Sequence, residues 1–197
     1  MWDPTSGTNP YIGGVGIYCA GGIESEDENE TTYWENILID NCSFKNSYAP
    51  CVSCDKYVNL IMSNCYINNC YYININYLNN KTVLKNIKYN SDYDWSALHV
   101  GGLPELEEDN SVTNINIDSC NFFGGISIGD TFSTSIFNIN ISNCYILGDA
   151  IFQLQNENSI CKINNCSFEN MGSLAIENSG IISISGQGTI TFDSCNF

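Results

Sequence analysis

A nine-residue phrase recurs along this 197-residue chain, and it constrains the fold more than any other feature. It reads Asn36-Ile-Leu-Ile-Asp-Asn-Cys-Ser-Phe44, then Asn59-Leu-Ile-Met-Ser-Asn-Cys-Tyr-Ile67, then Asn114-Ile-Asn-Ile-Asp-Ser-Cys-Asn-Phe122. It returns as Asn138–Ile146, Ile160–Phe168 and Thr189–Phe197, anchored by Cys42, Cys65, Cys120, Cys144, Cys166 and Cys195. The long step from Cys65 to Cys120 hides a copy with a substituted anchor, Lys81-Thr-Val-Leu-Lys-Asn-Ile-Lys-Tyr89, in which Ile87 takes the cysteine place. The anchor steps are then 23, 22, 33, 24, 22 and 29 residues. A basic unit of 22–24 residues with insertions has the period of a solenoid.

Each column of the repeat has one job. Five residues before the anchor stand Ile37, Leu60, Thr82, Ile115, Ile139, Cys161 and Ile190; three before it stand Ile39, Met62, Leu84, Ile117, Ile141, Ile163 and Phe192. Two after it come Phe44, Ile67, Tyr89, Phe122, Ile146, Phe168 and Phe197. This alternation is that of a strand with one buried face, so these columns are expected to point inward and the intervening Asp40, Ser63, Lys85, Asp118, Ser142, Asn164 and Asp193 outward. Just before the anchor stand Asn41, Asn64, Asn86, Ser119, Asn143, Asn165 and Ser194. Asn tolerates a left-handed backbone and can both donate and accept along a stack, so the column predicts a corner ladder built on Asn41, Asn64, Asn86, Asn143 and Asn165. Gly-marked strands follow the anchor strand at Gly13–Ile17, Gly124–Ile128, Gly148–Phe152 and Leu174–Ile176. Short strands without helical periodicity or an Asn-Gly hairpin signal argue for coils winding in one direction.

The expected fold is therefore all-β: a right-handed parallel β-helix of about eight coils, the hand following the default for parallel crossovers. Residues 1–197 form a single domain. The chain starts almost at once in a Gly-marked strand and stops within a coil, so it is expected to be a segment of a longer solenoid flanked by further coils of the same chain. The composition agrees: 29 Asn suit corners and strand edges, and 26 Ile suit inward columns.

These columns and the corner ladder resemble the pectate-lyase-like right-handed β-helix superfamily across nearly the whole chain. The Gly-Gly strand starts and the pieces Phe44-Lys-Asn46 and Phe168-Glu-Asn170 are similar to repeats of polymorphic outer-membrane proteins and related surface β-helices. The resemblance implies an extracellular or cell-surface setting, although Met1–Ser6 has no signal-peptide pattern. It also makes polysaccharide lyase or glycoside hydrolase the natural enzyme hypothesis.

Charge and motif argue against that hypothesis. Acidic residues outnumber basic ones 22 to 6, no arginine is present, and the net charge is −16, so nucleic acid and other polyanions are repelled. No stretch approaches the roughly 20 apolar residues of a membrane span. Lyases of the superfamily are associated with a basic catalytic residue, commonly Arg, which is missing here. Hydrolysis needs two carboxylates roughly 5–9.5 Å apart, and Asp40, Asp118 and Asp193 never fall in adjacent coils. His99, the one histidine, reads as a surface loop residue.

Six of the eleven cysteines occupy the anchor column where Ile87 substitutes, so Cys42, Cys65, Cys120, Cys144, Cys166 and Cys195 are expected to form a reduced core stack. Cys51-Val-Ser-Cys54 lacks the strand-to-helix context of a redox motif, and a local bridge among Cys51, Cys54 and Cys70 stays open. The charge concentrates in two acidic insertions, 20–35 and 90–112, expected to enter at one corner three coils apart, where they either remain solvated loops that keep the rod soluble or wall a groove. Trp34, Tyr93 and Trp95 would stack on sugar faces there, while Asp92, Asp94 and Glu105 accept hydroxyl hydrogen bonds. Such carboxylates are also candidate Ca²⁺ ligands; no other cofactor is indicated. The leading expectation is a non-catalytic surface or secreted β-helix, working as a stalk, adhesin or glycan-binding module whose partner is a glycan or another surface protein.

Overall fold

The computed structural model describes residues 16–19, 22–24, 31–33, 35–47, 49–54, 58–76, 81–91, 97–101, 112–129, 135–169 and 182–197. They build a parallel β-solenoid whose chain passes through three sheets in each turn. Sheet I holds β4 (Glu35–Asp40), β7 (Val58–Ser63), β10 (Lys81–Lys85), β13 (Val112–Asp118), β16 (Ile136–Ser142), β19 (Ile160–Asn164) and β22 (Thr189–Asp193). Sheet II holds β5 (Ser43–Ser47), β8 (Tyr66–Cys70), β11 (Lys88–Asn90), β14 (Asn121–Phe123), β17 (Tyr145–Leu147) and β20 (Ser167–Glu169). Sheet III holds β1 (Ile17–Cys19), β6 (Val52–Cys54), β9 (Ile73–Asn76), β12 (Leu98–Gly101), β15 (Ile126–Gly129), β18 (Ala150–Leu154) and β21 (Ile182–Gly186). Apart from these, β2 (Gly22–Glu24) and β3 (Thr31–Tyr33) form a short antiparallel pair.

The repeat columns are the register of sheet I. Ile37 lies beside Leu60, Leu60 beside Thr82, Thr82 beside Ile115, and so on to Ile190. Ile87 is buried where the other coils carry cysteine, so the substituted copy is a true rung. Four turns, 35–54, 58–76, 112–129 and 135–154, are described through all three sheets with at most one residue left out. The expectation of about eight coils is reduced to about four turns followed through all three sheets: the coils at 81–101 and 160–186 each include residues outside the described ones, and β1 and β22 belong to partial coils. The expected strand at Leu174–Ile176 lies outside the described residues, and Ile182–Gly186 takes the sheet III place in that coil.

The corner between sheets I and II follows from one backbone conformation. Asn41, Asn64, Asn86, Ser119, Asn143, Asn165 and Ser194 all have φ between 52° and 55°. This left-handed region costs most L-residues about 1–2 kcal/mol, and short polar side chains offset that cost by local hydrogen bonding. Here the chain turns so that the residue two before the corner and the residue after it both point inward.

The core is a stack of apolar columns, with Leu60, Met62, Leu84, Ile115, Ile141, Ile163, Phe122 and Ile146 essentially inaccessible to solvent. Tyr89 replaces Phe or Ile in its column, and its hydroxyl donates to the Cys70 carbonyl at 2.6 Å, with the Tyr71 carbonyl alongside. Thr82 is the misfit: its Oγ1 is buried between Leu60 and Ile115 without a hydrogen-bond partner. A buried hydroxyl left unsatisfied costs about 1–3 kcal/mol. Thr82→Val, close to isosteric, is therefore expected to raise the unfolding free energy by about 1 kcal/mol, measured by chemical denaturation against the parent chain. A loss of stability would show that the hydroxyl is satisfied in solution.

Candidate functional site

The described candidate features are the corner ladder, the cysteine stack and the outer faces of the three sheets. At the corner, Asn86 Nδ2 donates to Asn64 Oδ1 at 2.8 Å, and Asn64 Nδ2 donates to Asp40 Oδ1 at 2.9 Å. A second run repeats this order: Asn165 Nδ2 to Asn143 Oδ1 at 2.8 Å, then Asn143 Nδ2 to Asp118 Oδ1 at 2.8 Å. Each run of aligned amides thus ends on a carboxylate, so the amide dipoles and the negative charge reinforce one another. The break falls at Ser119, whose hydroxyl is too short to continue the stack and turns to Asp118 Oδ2 at 3.2 Å. Ser63 and Ser142 add hydroxyl bonds to the same two carboxylates, at 2.6 and 2.8 Å.

These donors set the acidity of the carboxylates. Ser63 and Asn64 hold Asp40 below its ordinary value. Asn143 and Ser142 do the same for Asp118, helped by Ser119 and the Lys85 charge. The folded state therefore binds the Asp118 proton less readily than the unfolded chain does. The associated stability is complete above the unfolded carboxyl value of about 3.9 and is lost as pH falls through the lower folded value. Asp118→Asn keeps an acceptor oxygen without the charge. The melting temperature of the parent chain should exceed that of the variant at pH 6, and the gap should close below about pH 4. Thermal unfolding followed by circular dichroism reads this directly, and a constant gap would contradict it.

Inside the same corner, Cys65, Cys120, Cys144 and Cys166 are buried thiols. The Cys120 backbone N–H donates to Cys144 Sγ at 3.4 Å, and the Cys144 thiol donates to the Ser142 carbonyl at 3.0 Å. The Cys120 contact, with burial, pushes the Cys144 thiol up to about 12. Burial does the same for Cys161, also to about 12. Cys144 and Cys161 are therefore protonated core thiols at neutral pH and poor nucleophiles. Two members of the expected stack differ: Cys42 is exposed and Cys195 half-buried. Burial of a column residue needs a coil on each side, and these two belong to the outermost anchor rungs. Cys51, Cys54 and Cys70 are thiols in the core, and burial raises Cys51 and Cys70 above the ordinary thiol value.

Trp34, Asp92, Tyr93, Asp94, Trp95 and Glu105, the expected ligand-binding set, all lie outside the described residues. The elements around them revise the two insertions. Leu98–Gly101 is a sheet III strand inside the 90–112 segment, so 92–96 joins sheet II to sheet III while 102–111 joins sheet III to sheet I. Residues 20–34 also join sheet III to sheet I, three coils away from 102–111. The expected shared corner thus applies to 20–34 and 102–111, and the Asp92–Trp95 stretch belongs to a different one.

His99 is also corrected. It lies in strand β12, half-buried, with its ring edge-on to Tyr72 at 6.3 Å between centroids. Asn74 and Ser127 are its register neighbours on adjacent coils, and Asn74 Nδ2 in turn donates to Ser53 Oγ at 3.2 Å. This polar column on the outer face of sheet III was not expected. Its sequence signal is the short alternation Leu98-His99-Val100, which the neighbouring acidic residues obscure.

On the outer face of sheet I, the Asp residues are separated as expected: Asp40 lies beside Ser63, Asp118 between Lys85 and Ser142, and Asp193 beside Asn164. Among the described residues no three or more His, Cys, Asp or Glu side chains come together as a metal site, and no helix is long and apolar enough to cross a membrane. The geometry defines the chain as a parallel β-solenoid with polar corner ladders. Comparison with protein families, curated proteins and solved structures returned no match.

Proposed function

We propose that this chain is a non-catalytic β-solenoid serving as the stalk or binding module of a surface or secreted protein, and that its acidic, aromatic segments engage a neutral or cationic glycan. The observation that carries this reading is the bonding of outward polar side chains from coil to coil. Asn59 donates to Asn36 at 3.0 Å, Asn140 to Asn116 at 3.1 Å and Asn138 to Asn114 at 3.4 Å, in addition to the two corner runs. Polar groups engaged in this way stiffen a rod, and the two corner runs tie up the Asp40 and Asp118 carboxylates. The resemblance to surface β-helices supports the extracellular setting.

Twelve of the 22 acidic residues fall within 20–35 and 90–112, and none of the six lysines does. A ligand held there has to tolerate or welcome negative charge, which favours hydroxyl-rich or amino sugars over uronates. The test is a glycan array probed with the full chain and with a Trp34→Ala/Trp95→Ala variant. Binding by the parent chain that falls at least about tenfold in the variant, a difference of about 1.4 kcal/mol, supports the site; equal binding by both sinks it. Incubation of the same preparation with polysaccharides, followed for new reducing ends or unsaturated products, addresses the carbohydrate-active enzyme alternative. Turnover there would overturn the non-catalytic reading.

A further inference from the structure

Inward and outward residues alternate along the strands of sheet II, and Phe122, Ile146 and Phe168 fill the inward places, none more than 1% exposed. The outward places are polar in most rungs: Ser43 and Lys45, Lys88 and Asn90, Ser167 and Glu169. Two adjacent rungs break that rule. β14 presents Phe123 on the outer face and β17 presents Tyr145 and Leu147, all three half-buried. The core does not need them, because its own columns are already filled. Both rungs also have paired strands on either side, so this exposure is no effect of an end.

The three side chains form one patch with a polar rim. Phe123 and Tyr145 meet at 5.8 Å between ring centroids, tilted by 59°. The Tyr145 hydroxyl donates to Glu169 Oε2 at 2.9 Å, which fixes the ring before any ligand arrives and lowers the ordering cost of binding. Along the rod Asn90 lies beside Phe123, Phe123 beside Leu147 and Leu147 beside Glu169. In the neighbouring column Tyr145 lies between Asn121 and Ser167. Amides, a hydroxyl and a carboxylate thus surround an apolar platform about 14 Å long, three inter-strand steps. A stable protein contact takes about 20–30 residues a side, far more than this patch offers. It fits instead a short chain of saturated rings, whose C–H faces lie on the aromatic rings and whose hydroxyl edges reach the rim.

We propose that this patch is a carbohydrate subsite and that it takes a short oligosaccharide of amino sugars. The proposal rests on the glycan-binding reading above but uses none of its insertion residues. Charge selects the amino sugar. Glu169 has a second carboxylate oxygen besides the one bonded to Tyr145, and an ammonium group at this carboxylate, beside the aromatic pair, meets opposite charge and the ring quadrupoles together. Along the tyrosine's column the first lysine, Lys88, stands two rungs away, beyond Asn121. The net charge of −16 repels uronates and sulfated sugars and favours the same choice.

The experiment is isothermal titration calorimetry on the full 197-residue chain at about pH 6, where the sugar amines carry charge. The probes are a glucosamine trimer and, as the neutral comparison, a glucose trimer. Phe123→Ala/Tyr145→Ala removes the platform, and Glu169→Gln keeps an acceptor for the tyrosine without the charge; circular dichroism checks that each variant folds. The parent chain should bind the glucosamine trimer saturably and more tightly than the glucose trimer. Loss of the two rings should weaken that binding at least about fivefold. Glu169→Gln should weaken it about threefold to fivefold, the scale of one exposed charge pair, and leave the glucose trimer unaffected. Trp34→Ala/Trp95→Ala should leave this calorimetric binding intact whatever the array reports for the insertions, which separates the two sites. No saturable binding of the glucosamine trimer, binding indifferent to the ring substitutions, binding lost with the tryptophans instead, or equal affinity for the two trimers would each overturn the proposal. If the ring variant fails to fold, the Glu169→Gln result decides alone.

Discussion

Phe122→Ala should lower the unfolding free energy by about 3–5 kcal/mol, the range for removing a buried aromatic ring from a packed core. Phe122 is fully buried, and its register neighbours are Tyr89 below and Ile146 above. In a solenoid each coil contacts only its neighbours, so no distant element can move in to fill the void. The loss is expected to be cooperative between coils: removing the ring also strips packing from Tyr89, whose hydroxyl holds the carbonyls at Cys70 and Tyr71. Phe122→Leu, which keeps most of the volume, should cost less than half as much. Guanidinium denaturation of the three proteins checks both statements. Equal stability of the Ala variant and the parent would mean that this column is not packed.

Gly129→Ala should be the second most damaging change, for a different reason. Gly129 has φ of 94°, and a Cβ built there would lie 2.0 Å from the Gln153 carbonyl oxygen and 2.7 Å from its carbon. Both atoms belong to the backbone of the next coil, so neither can step aside without breaking the sheet III register that pairs Gly129 with Gln153. Backbone strain of about 1–3 kcal/mol and overpacking of a similar size put the loss at about 2–5 kcal/mol. Gly101→Ala provides the contrast within the same sheet. Its Cβ would meet His99 Nε2 at 2.7 Å, the far end of a side chain that can rotate, and its φ lies outside the left-handed region. A loss below about 1.5 kcal/mol is expected there, since a rotamer change of the ring costs of order 0.5–1.5 kcal/mol. Thermal and chemical denaturation of the two variants side by side read the difference; if Gly129→Ala were the milder one, the coils would not approach as closely as described.

The fold was legible because a solenoid writes each structural position repeatedly. Seven residues share the corner conformation, and all seven were recognisable as a column of Asn and Ser before the anchor. Even the rung without cysteine was visible, since Ile87 kept the spacing and the apolar character. Sheet III was harder to read. Its strands carry no anchor of their own, and in β12 the alternation is three residues long and set among carboxylates, which is why His99 was read as a loop residue. Cys42, Cys195 and Phe197 occupy inward columns of the first and last anchor rungs, and an inward direction becomes burial only where a described coil lies beyond it. The expected ligand set was read from composition and spacing alone. Trp34, Tyr93, Trp95 and Glu105 stand in insertions that interrupt the repeat, and a column rule has no hold on residues outside the columns.

The central claim is that successive coils stack in parallel and in register, one inter-strand step per repeat. Leu38 and Lys162 are exposed members of one outward column, linked through Ile61, Val83, Asn116 and Asn140. Five steps of about 4.8 Å place their backbones about 24 Å apart, and Leu38 to Asn116 spans three steps, about 14 Å. Pulsed dipolar spectroscopy with spin labels carried on non-cysteine side chains at these positions measures both separations in solution. The account predicts centre-to-centre distances near those values and in a ratio close to five to three, widened only by the label linkers. Distances that do not scale with the number of intervening repeats would contradict it.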